Sequence, residues 1–180
     1  MLIDEFLPVY DFSERHEIKI RASAENVFEA VNSTKFTDSW LIWGLFALRG
    51  LCWSQPSPEL TLRDMTRRSF TILGEKPDEE ILLGLAGKFW TLFGSLQKVD
   101  AGNFKEFNKQ GFAKAVWNFS LAASRDGETL LKTETRIQCL DEDSRQSFAL
   151  YWTVVKLFSG LIRTEMLRLI KEKAERGDKK

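Results

Sequence analysis

His16 is the only histidine in the chain. It lies in an alternating stretch, Arg15 to Arg21, that puts it on one face with Ile18 and Ile20 and leaves Arg15, Glu17, Lys19 and Arg21 on the other. An imidazole on the inward face of a strand can serve as a general acid or base if a carboxylate orients it and a substrate proton lies within reach. Spacing supplies neither partner, and a lone strand histidine is more often a satisfied structural residue. Glu134 and Arg136 form a second candidate pair. Two apart on a strand, they share a face and could join Lys114 in a cross-strand ion-pair network, which is usually a surface feature. With the opposite strand parity the same two side chains become the polar centre of a pocket, as an acid or an anion-holding group. His16, Glu134 and Arg136 are therefore the catalytic candidates. Other chemistries lack their motifs. Gly84-Leu85-Ala86-Gly87-Lys88 has neither the glycine spacing nor the Ser/Thr of a phosphate loop, and no nucleophile elbow or HExxH occurs. One histidine and two distant cysteines, Cys52 and Cys139, do not make a Cys/His zinc site, so neither metal nor cofactor is expected.

These residues need elements to place them. The strand from Arg15 to Arg21 runs into a short helix capped by Ser23, with Val27, Phe28 and Val31 on its apolar side, ending near Asn32-Ser33. Thr37-Asp38-Ser39 signals a second helical start, followed by the almost wholly apolar run Trp40 to Leu51, which requires cover from the core, a partner or a ligand mouth. Ser54 to Glu59, with two prolines, reads as a loop, and a turn of helix follows around Leu60 to Met65. Strands are expected over Arg68–Leu73 and Glu80–Ala86, joined by the five residues Gly74 to Asp78, with a further short strand over Gly87–Leu92. Asp100 to Gly111 reads as loop. Phe112–Ala122 and Glu128–Leu140 form the longest hairpin, joined by Ser124-Arg125-Asp126-Gly127. From Asp141-Glu142-Asp143-Ser144 to Gly177 runs one long helix, whose face holds Phe148, Tyr151, Trp152, Val155, Phe158, Ser159, Ile162 and Met166 at three-and-four spacing.

On the strand Phe112–Ala122, Ala113, Ala115, Trp117, Phe119 and Leu121 share the face expected toward that helix. On its partner the inward set is Leu131, Thr133, Thr135, Ile137 and Cys139. Small alanines and threonines opposite a bulky helix leave room, and room with a few hydroxyls suits a small-molecule pocket. A filled core with backbone-satisfied threonines reads equally well at any one position.

At 43% hydrophobic, 180 residues suffice for one domain, 1–180, with its core over about 15–175. Lysine plus arginine equals aspartate plus glutamate at 26 each, so no net positive field exists to hold nucleic acid. The apolar run 40–51 is too short to span a membrane. The opening Met1-Leu2-Ile3-Asp4-Glu5 lacks the regions of a signal peptide, which reads as cytoplasmic and reduced.

The order strand, two helices, several antiparallel strands, long helix is similar to the α+β helix-grip architecture, a curved antiparallel sheet wrapped around a long C-terminal helix with two short helices after the first strand. Arg15-His16-Glu17-Ile18 with Ala24-Glu25-Asn26-Val27-Phe28 resembles the opening of the START/polyketide-cyclase-like superfamily (SRPBCC). Leu60-Thr61-Leu62-Arg63-Asp64, Trp117-Asn118-Phe119, Thr133-Glu134-Thr135-Arg136 and Ser159-Gly160-Leu161-Ile162-Arg163 resemble a bacterial subgroup of it. The resemblance implies an apolar cavity between sheet and helix that binds a lipid, an aromatic or a polyketide-like compound. Trp117, Phe119, Thr133, Thr135, Trp152, Val155 and Ser159 are its expected lining. Alternatives are a cyclase or dehydratase using the same cavity, and a protein-interaction module presenting segment 40–51. Homo-oligomerisation is left open.

Overall fold

A computed structural model of the chain describes residues 1–39, 60–91, 95–124 and 127–177. The sheet runs β1 (Phe12–Ile20), β6 (Thr129–Cys139), β5 (Ala113–Ala123), β3 (Glu80–Gly87) and β2 (Thr71–Lys76), all antiparallel, with the two-residue β4 (Leu96–Gln97) beside β3. The helices are α1 (Leu2–Phe6), α2 (Ala24–Ser33), α3 (Leu62–Arg68) and α4 (Glu142–Gly177). The expected run Trp40–Leu51, the loop Ser54–Glu59 and the hairpin tip Arg125-Asp126 lie outside the described residues.

Local chemistry starts each helix. Ser23 accepts the Asn26 amide proton at 3.3 Å, and Thr61 and Asp64 form a reciprocal capping box on α3. Asp141 accepts the Ser144 amide at 2.8 Å ahead of α4 and a further bond from the Gly111 amide, which ties the 100–111 segment to the start of the helix. Those amide donors hold the Asp141 carboxyl below its ordinary range.

Strand parity puts Ala113, Ala115, Trp117 and Phe119 on the α4 side, with Leu131, Thr133, Thr135 and Ile137 beside them. Two clusters fill that side. One joins Val27, Phe28 and Val31 of α2 to Ile81, Leu83, Trp117, Phe119 and Leu131 of the sheet and Met166, Leu167 and Ile170 of α4. The other gathers Phe12, Leu85, Ala115, Ile137, Phe148 and Trp152 around the first turns of α4. The middle of α4 is different: no residue from 149 to 165 is buried, and Leu150, Val154, Leu157 and Leu161 are exposed.

The structure departs from the sequence expectations at five places. β1 begins at Phe12, so Phe12 and Glu14 join the His16 face. Gly74 to Lys76 belong to β2, and the turn is only Pro77 to Glu79, with Asp78 at φ 59, a conformation that aspartate tolerates. Among the described residues of the expected strand Gly87–Leu92, Lys88 to Thr91 form a turn instead, and the short strand comes later at Leu96. Phe158, expected on the core face, is 37% exposed, because the inward line of α4 passes through Trp152, Val155, Ser159 and Ile162. Finally, the sheet has two covered faces. Leu2, Ile3 and Leu7 at the amino terminus pack with Phe104, Val99, Leu82 and Val116 on the side away from α4. Glu80 fixes this cover by accepting the Leu2 amide at 2.7 Å and the Asn118 side-chain amide at 2.7 Å.

Candidate functional site

Antiparallel register lines up the polar residues under α4. Glu14 pairs with Thr135, which pairs with Trp117; one rung along, His16 pairs with Thr133 and Thr133 with Phe119. The Trp117 indole donates to Thr133 Oγ1 at 2.7 Å, and that hydroxyl donates to the Asn118 carbonyl at 2.8 Å. Phe119 and Thr133 are buried beneath Trp117 and fix its ring; the Trp117 and Phe119 centroids are 5.0 Å apart.

Three ionisable side chains meet above this floor. Glu14, 8% exposed, bonds through Oε1 to His16 Nε2 at 2.9 Å, and its Oε2 lies 3.6 Å from Arg163 Nε. Arg163 comes from the middle of α4 and lies over the Trp117 ring at 5.0 Å. Gly160, one turn before Arg163, permits the approach: a Cβ there would stand 3.0 Å from Glu14 Oε1. Beside Glu14, the Thr135 hydroxyl is buried and has no hydrogen-bond partner.

In a neutral imidazole, geometry assigns the proton to Nε2, which donates to Glu14; Nδ1 is then an acceptor. His16 thus has the orienting carboxylate that a general base requires. Trp152, Val155 and Ser159 are half-buried on the sheet side of α4, and Trp152 stacks on Phe148 with centroids 5.7 Å apart. Phe89 and Trp90 close the same end, with ring centroids 5.7 and 5.8 Å from that of Phe148. The arrangement is an aromatic cluster beside a charged, hydrogen-bonding patch, both under α4.

Glu134 and Arg136 face away from α4, so of the three catalytic candidates only His16 stands in this patch. The two do form a network, with different partners and a different environment from those expected. Glu134 Oε1 meets Arg136 Nε at 2.6 Å and Arg15 at 2.9 Å, while Arg136 reaches Asp4 at 2.8 Å, the Leu7 carbonyl at 3.2 Å and the face of Tyr10 at 4.8 Å. Lys114 is not among these partners. The network is no surface feature, because the chain before β1 buries Arg136 to 6% exposure. The Asp4 carboxyl is held below its usual range chiefly by its hydrogen bond to Arg136.

Sequence reasoning passed over Glu14 and Arg163. Glu14 continues the 16-18-20 alternation backwards and Arg163 sits four residues after Ser159, spacing that places each on the inward face although charged side chains are rarely found there. Among the described residues no group of three or more His, Cys, Asp or Glu side chains could hold a metal ion.

The chain is an α+β protein of helix-grip architecture: an antiparallel sheet with a long C-terminal helix across one face. No protein-family model matches it, and no curated protein does. Solved structures resemble it at low identity. A conserved protein from Geobacillus kaustophilus is 10% identical over 92% of this chain and 96% of that one, with a TM-score of 0.47. The ZhuI aromatase/cyclase from Streptomyces sp. R1128 is 12% identical over 92% and 94%, with a TM-score of 0.34. One further similar structure is the di-domain ARO/CYC StfQ of the steffimycin biosynthetic pathway, 12% identical over 92% of this chain and 46% of that one, with a TM-score of 0.32. Among the described residues no helix is long and apolar enough to cross a membrane.

Proposed function

We propose that the chain binds an apolar small molecule, of lipid, aromatic or polyketide-like character, between the sheet and the middle of α4, as a member of the START/polyketide-cyclase-like superfamily. One observation carries this reading. α4 is closed against the sheet at Phe148 and again at Met166, but carries no fully buried residue between them, and that interval faces Trp117, Thr135 and the Glu14–His16 pair. Burial of apolar ligand surface supplies most of the affinity. Trp117, Trp152 and Val155 are the apolar contacts. Thr135 and Ser159 are the hydrogen-bonding ones, since the Thr135 hydroxyl has no protein partner. Phe119 and Thr133 act from beneath, by holding Trp117.

Native mass spectrometry of freshly purified protein, with solvent extraction of any bound mass, tests this. A stoichiometric apolar adduct that disappears in Trp152→Ala and Thr135→Val is the expected result. A clean apo mass, together with no binding of aromatic or acyl probes at millimolar concentration, removes the proposal.

The Glu14–His16 contact favours a second reading, acid–base catalysis of a cyclase or dehydratase type in the same cleft. His16 Nδ1 is the base and Glu14 the orienting carboxylate. Turnover of a true substrate that persisted in His16→Gln would dispose of it. The interaction reading rests on segment 40–51, outside the described residues.

A further inference from the structure

The face of the sheet turned away from α4 carries an open pocket, of about 320 Å³, between the end of α1 and the 100–111 segment. Phe6, Leu7, Pro8 and Val9 make one wall apolar. The floor is Lys114, in the interior of β5 opposite Gln138 of β6. Lys114 is only 7% exposed; its ammonium donates to the Lys105 carbonyl at 3.2 Å and lies 5.7 Å from the Phe104 ring centroid. Among the described residues no carboxylate forms an ion pair with it. Lysine is almost never buried this far without a counter-charge, because an ammonium loses its hydration and gains little from one carbonyl. Burial accordingly pushes its pKa down. The other charged groups at the cavity are Lys105, whose ammonium rests 4.6 Å from the Phe6 ring centroid, and Glu5, exposed at the rim and in no ion pair with either lysine.

We propose that this cavity is a binding site for a small monocarboxylic acid with a short apolar body, distinct from the cleft under α4. The carboxylate pairs with the Lys114 ammonium and accepts from the Gln138 amide, and the hydrocarbon lies against Phe6, Leu7, Pro8 and Val9. The volume suits a body of about six carbons, the size of benzoate or hexanoate. A more highly charged anion such as phosphate is disfavoured, since one buried cation and an apolar wall do not replace its hydration. A bound carboxylate also restores the counter-charge that Lys114 lacks, so binding draws a proton onto Lys114 wherever it is partly neutral, and affinity falls as pH rises through its depressed titration.

Calorimetric titration of the full chain with benzoate, hexanoate, hexanamide and inorganic phosphate tests the proposal. Both acids are expected to bind, with hexanamide and phosphate weaker by about tenfold or more. Lys114→Met removes the cation but keeps the apolar stem, and is expected to weaken benzoate by about tenfold or more, while Glu17→Gln on the exposed side of β1 leaves it unchanged. Amide chemical-shift mapping on the unmodified protein gives a reading that needs no variant: benzoate should move Phe6 to Val9, Lys114 and Gln138. Equal affinity for hexanamide, undiminished binding in Lys114→Met, shifts centred on His16 and Thr135 instead, or no binding at millimolar concentration would each overturn it. A lost adduct under α4 with benzoate binding intact separates this site from the function proposed above.

Discussion

His16 Nε2 lies 2.9 Å from Glu14 Oε1 on the α4-facing side of β1, with both residues supplied by one strand and covered by one helix. The contact is intrastrand, two residues apart, so β geometry alone brings the side chains together. The helix contributes Arg163 to the free edge of the carboxylate and Gly160 to the space above it. The charge beneath α4 is therefore organised by the strand and covered by the helix.

Thr133 and Thr135, neighbours on the α4-facing side of β6, should respond oppositely to the same substitution. Thr133→Val strips the buried Trp117 indole of its acceptor and is expected to cost about 1–3 kcal/mol in urea unfolding. Thr135→Val replaces a buried hydroxyl that has no partner, so stability should hold or rise by up to about 1 kcal/mol, while ligand binding drops. Equal losses in both would contradict the assigned bonding.

Gly160→Ala separates helix propensity from crowding. In an exposed helix interior the change stabilises by about 1 kcal/mol. Here the new Cβ would sit 3.0 Å from Glu14 Oε1, which His16 and Arg163 hold in place, so most of that gain should vanish. His16, the single histidine, reports directly: its ring proton resonances should move. The full stabilisation with unmoved resonances would show that α4 does not approach β1 this closely.

Strand parity and the terminal helix were legible because each has a strong period. The 113-115-117-119 face and the run from Phe148 to Ile170 follow from spacing of two and of three-to-four. Glu14 was not legible, because its inward position depends on β1 starting at Phe12, and the polar Asp11-Phe12-Ser13-Glu14 carries no alternation of its own. α1 was missed for its length: five residues give barely more than a turn, and it is stable only through Leu2, Ile3 and Leu7 against the sheet and Glu80 at its amides. That missing layer is also why Arg136 was read as a surface residue.

Cys139 should be an inert thiol. Burial first, then the nearby Asp11 and Asp141 charges, push its pKa from 9.0 up to about 12. At pH 8 only about one thiol in ten thousand is then the reactive thiolate, so iodoacetamide should modify native Cys139 far more slowly than the unfolded chain in a Cys52→Ser background. The sign for stability follows. Above pH 9 the unfolded thiol releases its proton while the native one keeps it, so this group's contribution falls as pH rises between 9.0 and about 12. Cys139→Ala should remove that part of the alkaline slope. Fast native labelling at pH 8 would contradict the burial.

Arg136 contacts two carboxylates of unequal burial, and they should differ in worth. Glu134 is 12% exposed and shares its oxygen with Arg136 and Arg15, so Arg136→Met leaves a buried carboxylate short of a partner and is expected to cost about 3 kcal/mol or more. Asp4 is 54% exposed, and Asp4→Asn should cost no more than about 1 kcal/mol. Because the Asp4 pKa is lowered in the folded chain, its contribution is present above the ordinary value of 3.8 and is lost as pH falls through the folded value. Hydrogen exchange localises the effect. Arg136 also donates to the Leu7 carbonyl, so Arg136→Met should raise exchange at the amides of residues 2–7 while those of α4 keep their protection. Loss of protection in α4 to the same extent would mean that the amino-terminal layer is not the separate cover this arrangement requires.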